Sequence, residues 1–153
     1  MKYFHLMKKP TAKTKKAAKG VPFLMVNDYQ ETYQLVEKAQ EGVRPELFFV
    51  LARITQFGIE AIENLLNISA RTVRNYQQEK RTLAPLKGEL LLKLMRLFKR
   101  GEEVFGSLTA FRAWVAKPAY GLAGATPFSK LNTSEGVNMV MDEVERIAFG
   151  EFA

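Results

Sequence analysis

IEAIENLLNISARTVRNYQQEK, residues 59–80, reads as two short helices around a tight turn, and it sets an all-α fold for the chain. In its first half Ile59, Ile62, Leu65 and Leu66 recur at the spacing of one helix face, and Ile68 closes the turn beneath them. Asn67 stands where the chain must reverse, a position that asks for left-handed backbone, and Asn is the commonest residue after glycine to tolerate it. Ser69 follows as an N-cap whose hydroxyl can accept from the backbone N–H of Arg71 or Thr72. Val73 with Tyr76 or Gln77, at i+3 and i+4, then faces the core. That phase turns Arg71, Thr72, Arg74, Asn75 and Gln78 toward solvent. The pattern is that of a helix-turn-helix, whose second helix offers cations to phosphates and polar side chains to base edges. Ser69, Arg71, Thr72, Arg74 and Asn75 are the candidate DNA-binding residues. The alternative is a helix pair that merely packs, its arginines solvated.

Working outward, a helix-turn-helix needs helices beneath it. Upstream, Asn27 with Gln30 is a cap signal for a helix over residues 27–42, with Tyr29, Tyr33 and Val36, and Leu35 beside them, on one stripe and Gly42 as its end. Pro45 opens a second helix in which Leu47, Phe48, Leu51, Ile54 and Phe57 can bury, and Gly58 stops it. Downstream, residues 88–104 are the longest periodic run. Leu90, Leu91, Leu94, Met95, Leu97 and Phe98 cover a wide arc, so this helix is buried on two sides, and Glu89, Lys93, Arg96 and Arg100 form its solvated row. Gly101 within it implies a bend or a close packing partner. Gly106 ends it.

Composition narrows the function. With 47% apolar residues in 153, the chain can build a core of its own. It has no cysteine, and its one histidine is His5, so thiolate metal sites, disulfides and histidine acid–base chemistry have no residues in the folded part. No metal or other cofactor is expected, and no enzyme. No apolar run approaches the roughly 20 residues of a membrane span, and 4–7 is too short for a signal-peptide core, which places the protein in the cytoplasm. The net charge of +7 is unevenly spread. Seven lysines and no acid lie before Val21, in what reads as a disordered basic arm over 1–26. Residues 69–117 carry 11 basic and 4 acidic side chains, so the positive segment begins at the proposed recognition helix, as a polyanion-facing side would.

Beyond Gly106 the composition changes. Ser107 or Thr109 can cap a short helix carrying Phe111, Trp114 and Val115, which Pro118 stops. Residues 119–136 read as a turn-rich linker with Gly121, Gly124 and Pro127. Residues 136–148 form an amphipathic helix with Val137, Val140, Met141, Val144 and Ile147 on its apolar face. Phe149 and Phe152 follow as exposed aromatics that call for a partner or groove. The chain thus divides into the arm 1–26, a helical core 27–106 containing the helix-turn-helix, and a module 107–153.

These C-terminal residues carry a resemblance. Trp114-x3-Pro118, Leu122-x-Gly124-x-Thr126-Pro127, Leu131-x-Thr133-x2-Gly136, Val140 and Arg146-Ile147-x2-Gly150 together resemble the toxin-binding domain of Xre/MbcA/ParS-type antitoxins. Upstream, Leu35-Val36, Gly42, Ser69-x2-Thr72, Leu83 and Val104-Phe105-Gly106 keep the same order, so the resemblance covers about residues 30–153. It implies an antitoxin whose partner is a RES-domain toxin of a family that degrades NAD. The C-terminal helix and tail would cover the toxin's active site, and the helix-turn-helix, as a homodimer, would bind operator DNA and repress the operon or serve self-association. By the same resemblance Arg146, Phe149, Gly150, Glu151 and Phe152 would touch the toxin, with Arg146 alternatively paired to Asp142 at i−4. Trp114, Pro118, Leu122, Gly124, Thr126, Pro127, Leu131, Gly136 and Ile147 would shape the module.

The chain departs from the family pattern in three places. Lys87-Gly88-Glu89-Leu90 replaces a Glu-Ser-Asp-Arg-like stretch, Asn67 replaces the usual turn glycine, and Ala119 replaces an asparagine. The competing reading is a stand-alone helix-turn-helix regulator with a C-terminal interaction or sensor module.

Overall fold

The computed structural model describes residues 23–150, and side chains from residue 30 on. The basic segment before residue 23, and Glu151 and Phe152, lie outside the described residues. Within them every regular element is helical, and one isolated antiparallel bridge joins Val43 to Leu83, whose N–H donates to the Val43 carbonyl at 2.9 Å.

The first helix, α1 (Phe23–Glu41), starts four residues before the expected cap and runs straight through Asn27. Gly42, at φ 109°, ends it as expected. The expected stripe is corrected as well. Leu35 and Ala39 are the buried residues, whereas Tyr33 and Val36 are exposed. Leu35 and Ala39 are four apart, so they fall one above the other on the helix face that meets the long central helix α5 (Pro85–Phe105).

Between them lie α2 (Leu47–Thr55), α3 (Ile59–Leu66) and α4 (Ala70–Gln78). Helix α2 buries Leu47, Phe48, Val50, Leu51, Ala52 and Ile54, more than one face, because α3 and α5 cover it from two sides. Its stop is Gln56 in left-handed backbone (φ 55°), whose N–H donates to the Ala52 carbonyl; Gly58, expected to end α2, instead stands at φ 88° as the N-cap of α3. The turn after α3 follows the expectation: Asn67 is left-handed (φ 50°), and the Ser69 hydroxyl accepts from the N–H of Thr72 at 3.0 Å. Two further contacts hold this turn. The Glu63 carboxylate accepts from the N–H of Ala70 at 2.8 Å. Lys87 Nζ donates to the carbonyls of Leu66 and Asn67 at 3.2 and 2.8 Å, a cation on the carbonyl end of α3.

Helix α5 is the axis of the molecule. It begins with Pro85 at its first turn, buries Leu90, Leu91, Leu92, Leu94, Met95, Leu97 and Phe98, and packs against α1, α2, α3 and both helices that follow, α6 (Leu108–Val115) and α7 (Ser134–Ala148). The charged row expected to be solvated is partly covered by α7. Lys93 donates to Asn138 at 3.2 Å, and Arg100 meets Glu145 at 2.6 Å and Glu103 at 3.2 Å. The hydrogen bond with Glu145 raises the Arg100 pKa above its ordinary value, so the guanidinium stays charged. Gly101 is a close-packing site: a Cβ there would land on the Phe111 ring of α6.

A chain of aromatic rings ties the two ends of the sequence together. Phe57 lies edge-on to Phe98 of α5 and to Phe128, with centroids 5.5 and 5.0 Å apart. Phe98 meets Phe111 at 5.0 Å, and Phe111 stacks on Trp114 at 5.8 Å. The apolar core therefore runs unbroken from Leu35 to Val144. Among the described residues no helix is long and apolar enough to cross a membrane.

Candidate functional site

The segment expected as a linker is folded. Two 3-10 turns, Tyr120–Leu122 and Pro127–Lys130, bridge α6 to α7. Their backbone is satisfied locally: Ala119 donates to the Ala125 carbonyl, and Gly124 returns a bond to Ala119, at 3.0 and 3.1 Å. Leu122, Pro127 and Leu131 are buried, and the Thr126 hydroxyl caps the second turn by accepting from Ser129. Gly124 supplies a left-handed position (φ 80°). Ser107, not Thr109, caps α6, accepting from Ala110 at 3.1 Å. Trp114 is half-buried against Phe105 and Phe111, and Pro118 lies exposed beyond the end of α6, which stops at Val115.

Helix α7 starts two residues before Gly136, capped by the Thr133 hydroxyl, which accepts from the Gly136 N–H at 3.0 Å. Gly136 sits so tightly on the preceding turn that a Cβ would strike the Lys130 carbonyl. Val137, Val140 and Val144 are buried against α5 and the turns, with Met141 and Ile147 half-covered. Burying each valine contributes about 1.5–3 kcal/mol.

The opposite face of α7 is open. Glu135, Met139, Asp142, Arg146 and Phe149 recur at i, i+4, i+7, i+11 and i+14, so they form one line, and all are exposed. Met139 is 47% and Phe149 72% accessible, and Tyr120, in the adjoining 3-10 turn, is 81% accessible. Gly150 follows in left-handed backbone (φ 75°), turning the chain off the helix end. Of the residues proposed to touch a toxin, Arg146 and Phe149 thus share one outward line with Gly150 just beyond it. Arg146 pairs not with Asp142 but with Glu143, Nη2 to Oε2 at 2.6 Å. Glu135, Met139 and Asp142 join this line without having been singled out as toxin-facing, and Tyr120 is exposed on the 3-10 turn that packs against α7. Met139 was findable, as the one apolar residue in phase with the polar side of α7.

A second candidate surface lies on α4. Arg71 and Asn75 are exposed. Arg74 lies over the Phe49 ring of α2, 5.2 Å from its centroid, a cation–π contact that fixes its direction. Ser69 and Thr72 are joined through their hydroxyls at 2.9 Å, so both serve the cap as well as the surface. Arg81, just beyond α4, lies over Tyr76 at 4.1 Å.

Comparison with known families bears on the first surface. Residues 100–150 match the model of the antitoxin Xre/MbcA/ParS C-terminal toxin-binding domain, a span that takes in the end of α5, all of α6, both 3-10 turns and α7. No curated protein matches the chain. The family match supports an antitoxin role with a toxin as partner.

Proposed function

We infer that this chain, which carries the toxin-binding domain of the Xre/MbcA/ParS-type antitoxins, neutralises a RES-domain, NAD-degrading toxin by laying the outer face of α7 and the tail that follows over the toxin's active site. The observation that carries this reading is the exposed line Met139, Arg146 and Phe149 inside the matched segment. Two apolar anchors flanking a cation are the composition of an interface centre, where aromatic residues, Met and Arg are enriched. The protein acts by binding, in the cytoplasm, with no chemistry of its own: Arg146, Phe149 and Gly150, with Glu151 and Phe152 beyond them, make the contacts, and residues 107–131 hold α7 in place. Co-expression tests it. The adjacent gene should encode a RES-domain protein that arrests growth, and the full chain should restore it. Continued arrest in the presence of well-folded chain would contradict the reading.

We also read α3 and α4 as a helix-turn-helix that binds operator DNA and represses the operon, two copies of the chain presenting two recognition helices. Its support is the excess of basic side chains in residues 69–117 and the exposure of Arg71, Asn75 and Arg74 on one helix. Arg71→Ala combined with Arg74→Ala removes two phosphate contacts. Binding to the promoter fragment in a mobility shift should weaken, and the slope of log K against log salt should flatten by about two units. An unchanged slope would exclude this helix. Operator binding without toxin binding would favour the stand-alone regulator.

A further inference from the structure

Glu143 is the one buried charged residue among the described residues, 5% accessible. A buried carboxylate is costly unless a cation answers it. The answer here is unusual in direction. Arg146 could reach the exposed Asp142 at i−4, yet its guanidinium turns inward to Glu143 Oε2, which has no hydrogen-bond donor meeting it with good geometry. Glu143 is itself walled in by Gly121 of the first 3-10 turn, where any side chain would land on the carboxylate atoms. Gly121 is needed for space, since its backbone is not left-handed.

The consequence falls on Arg146. An ordinary surface ion pair leaves both partners mobile and contributes little. In this pair the carboxylate is buried, so it gives the half-exposed arginine a counter-ion at one fixed place beside the line between Met139 and Phe149. A guanidinium has five N–H donors in a planar fork, and a single carboxylate oxygen on one of its nitrogens leaves most of them free.

We propose that Glu143 and Gly121 are positioning residues that fix Arg146 so that its outward donors grip a carboxylate on the toxin. The proposal rests on the toxin-binding reading of α7. Holding the side chain in its bound direction before association lowers the ordering cost of binding, and withdrawing Glu143 would free Arg146 without removing it.

The test is a double-mutant cycle on the full chain, with calorimetric affinity for the RES-domain protein of the proposed function. Arg146→Ala should weaken binding about thirtyfold, the lower edge of the hot-spot range, and Glu143→Gln about tenfold. The double variant should be no weaker than Arg146→Ala alone, because Glu143 acts only through Arg146. Gly121→Ala, which pushes the carboxylate aside, should behave like Glu143→Gln and serves in its place if that variant does not fold. In the free protein, the Arg146 Nη resonances should be resolved in the wild type and averaged in Glu143→Gln. Additive losses in the cycle, or identical Nη spectra in both proteins, would overturn the proposal. Failure of the wild-type chain to bind would instead overturn the proposed function, so the two failures are distinguishable.

Discussion

Phe98→Ala is expected to lower the stability of the whole chain by about 3–5 kcal/mol, as removal of a buried phenylalanine does, and to shift the thermal unfolding midpoint as one cooperative transition. Phe98 has no exposed surface and lies edge-on to Phe57 on one side and to Phe111 on the other. Phe57 follows α2 and Phe111 belongs to α6, so the vacated space opens at the junction of the N-terminal helices with the C-terminal module. The neighbours cannot close it cheaply, because Gly101, one turn along α5, already lets the Phe111 ring sit against the helix backbone. Circular dichroism melting should show the helical signal lost in a single transition. Two separated transitions would mean that the aromatic chain does not couple them.

The second large effect is local. Gly136→Val should cost about 3 kcal/mol, an overpacking penalty at the high end of its range because the obstacle is backbone. The added side chain would meet the Lys130 carbonyl and the Thr133 hydroxyl, the latter being the cap of α7. Helix α7 would have to lift from the 3-10 turn beneath it, uncovering Val137 and Val140. Protection from hydrogen exchange should fall in residues 127–144 while α2, α3 and α4 keep theirs. Toxin binding should be lost with it, whereas the operator binding proposed for α4 should be retained. Uniform loss of protection would contradict this division of stability.

These effects show which parts of the fold were legible in the sequence. The turn between α3 and α4 was, because its determinants are local: Asn67 tolerates left-handed backbone, and Ser69 reaches only three residues to Thr72. The burial of α5 on two sides was legible from its wide apolar arc. The phase of α1 was not, since Tyr29, Tyr33 and Val36 outweigh Leu35 and Ala39 in hydrophobic bulk, yet the smaller pair faces α5. Neither was the end of α2, because nothing marks Gln56 for left-handed backbone when Gly58 stands two residues on. Residues 119–133 carry the glycines and proline of a loop, and only their internal hydrogen bonds and the burial of Leu122 and Leu131 reveal a folded unit. The site shows the same limit. Arg146 and Phe149 were readable as outward residues, but the choice of Glu143 over Asp142, and Phe49 beneath Arg74, depend on how distant elements meet.

Removing α7 altogether would be a poor test of toxin binding, since Val137, Val140 and Val144 cover α5 and the core would be exposed with the interface. Its outer line can be changed without removing a core side chain. The decisive measurement is the dissociation constant of the chain carrying Met139→Ala, Arg146→Ala and Phe149→Ala together for the RES-domain toxin proposed as its partner, alongside its melting temperature. If the outer face of α7 holds the toxin, affinity should fall about a hundredfold or more, as when several interface anchors are lost, with the melting temperature lowered no further than in Arg146→Ala alone, which leaves the buried Glu143 without its cation. Wild-type affinity in the triple variant would contradict the account at its centre.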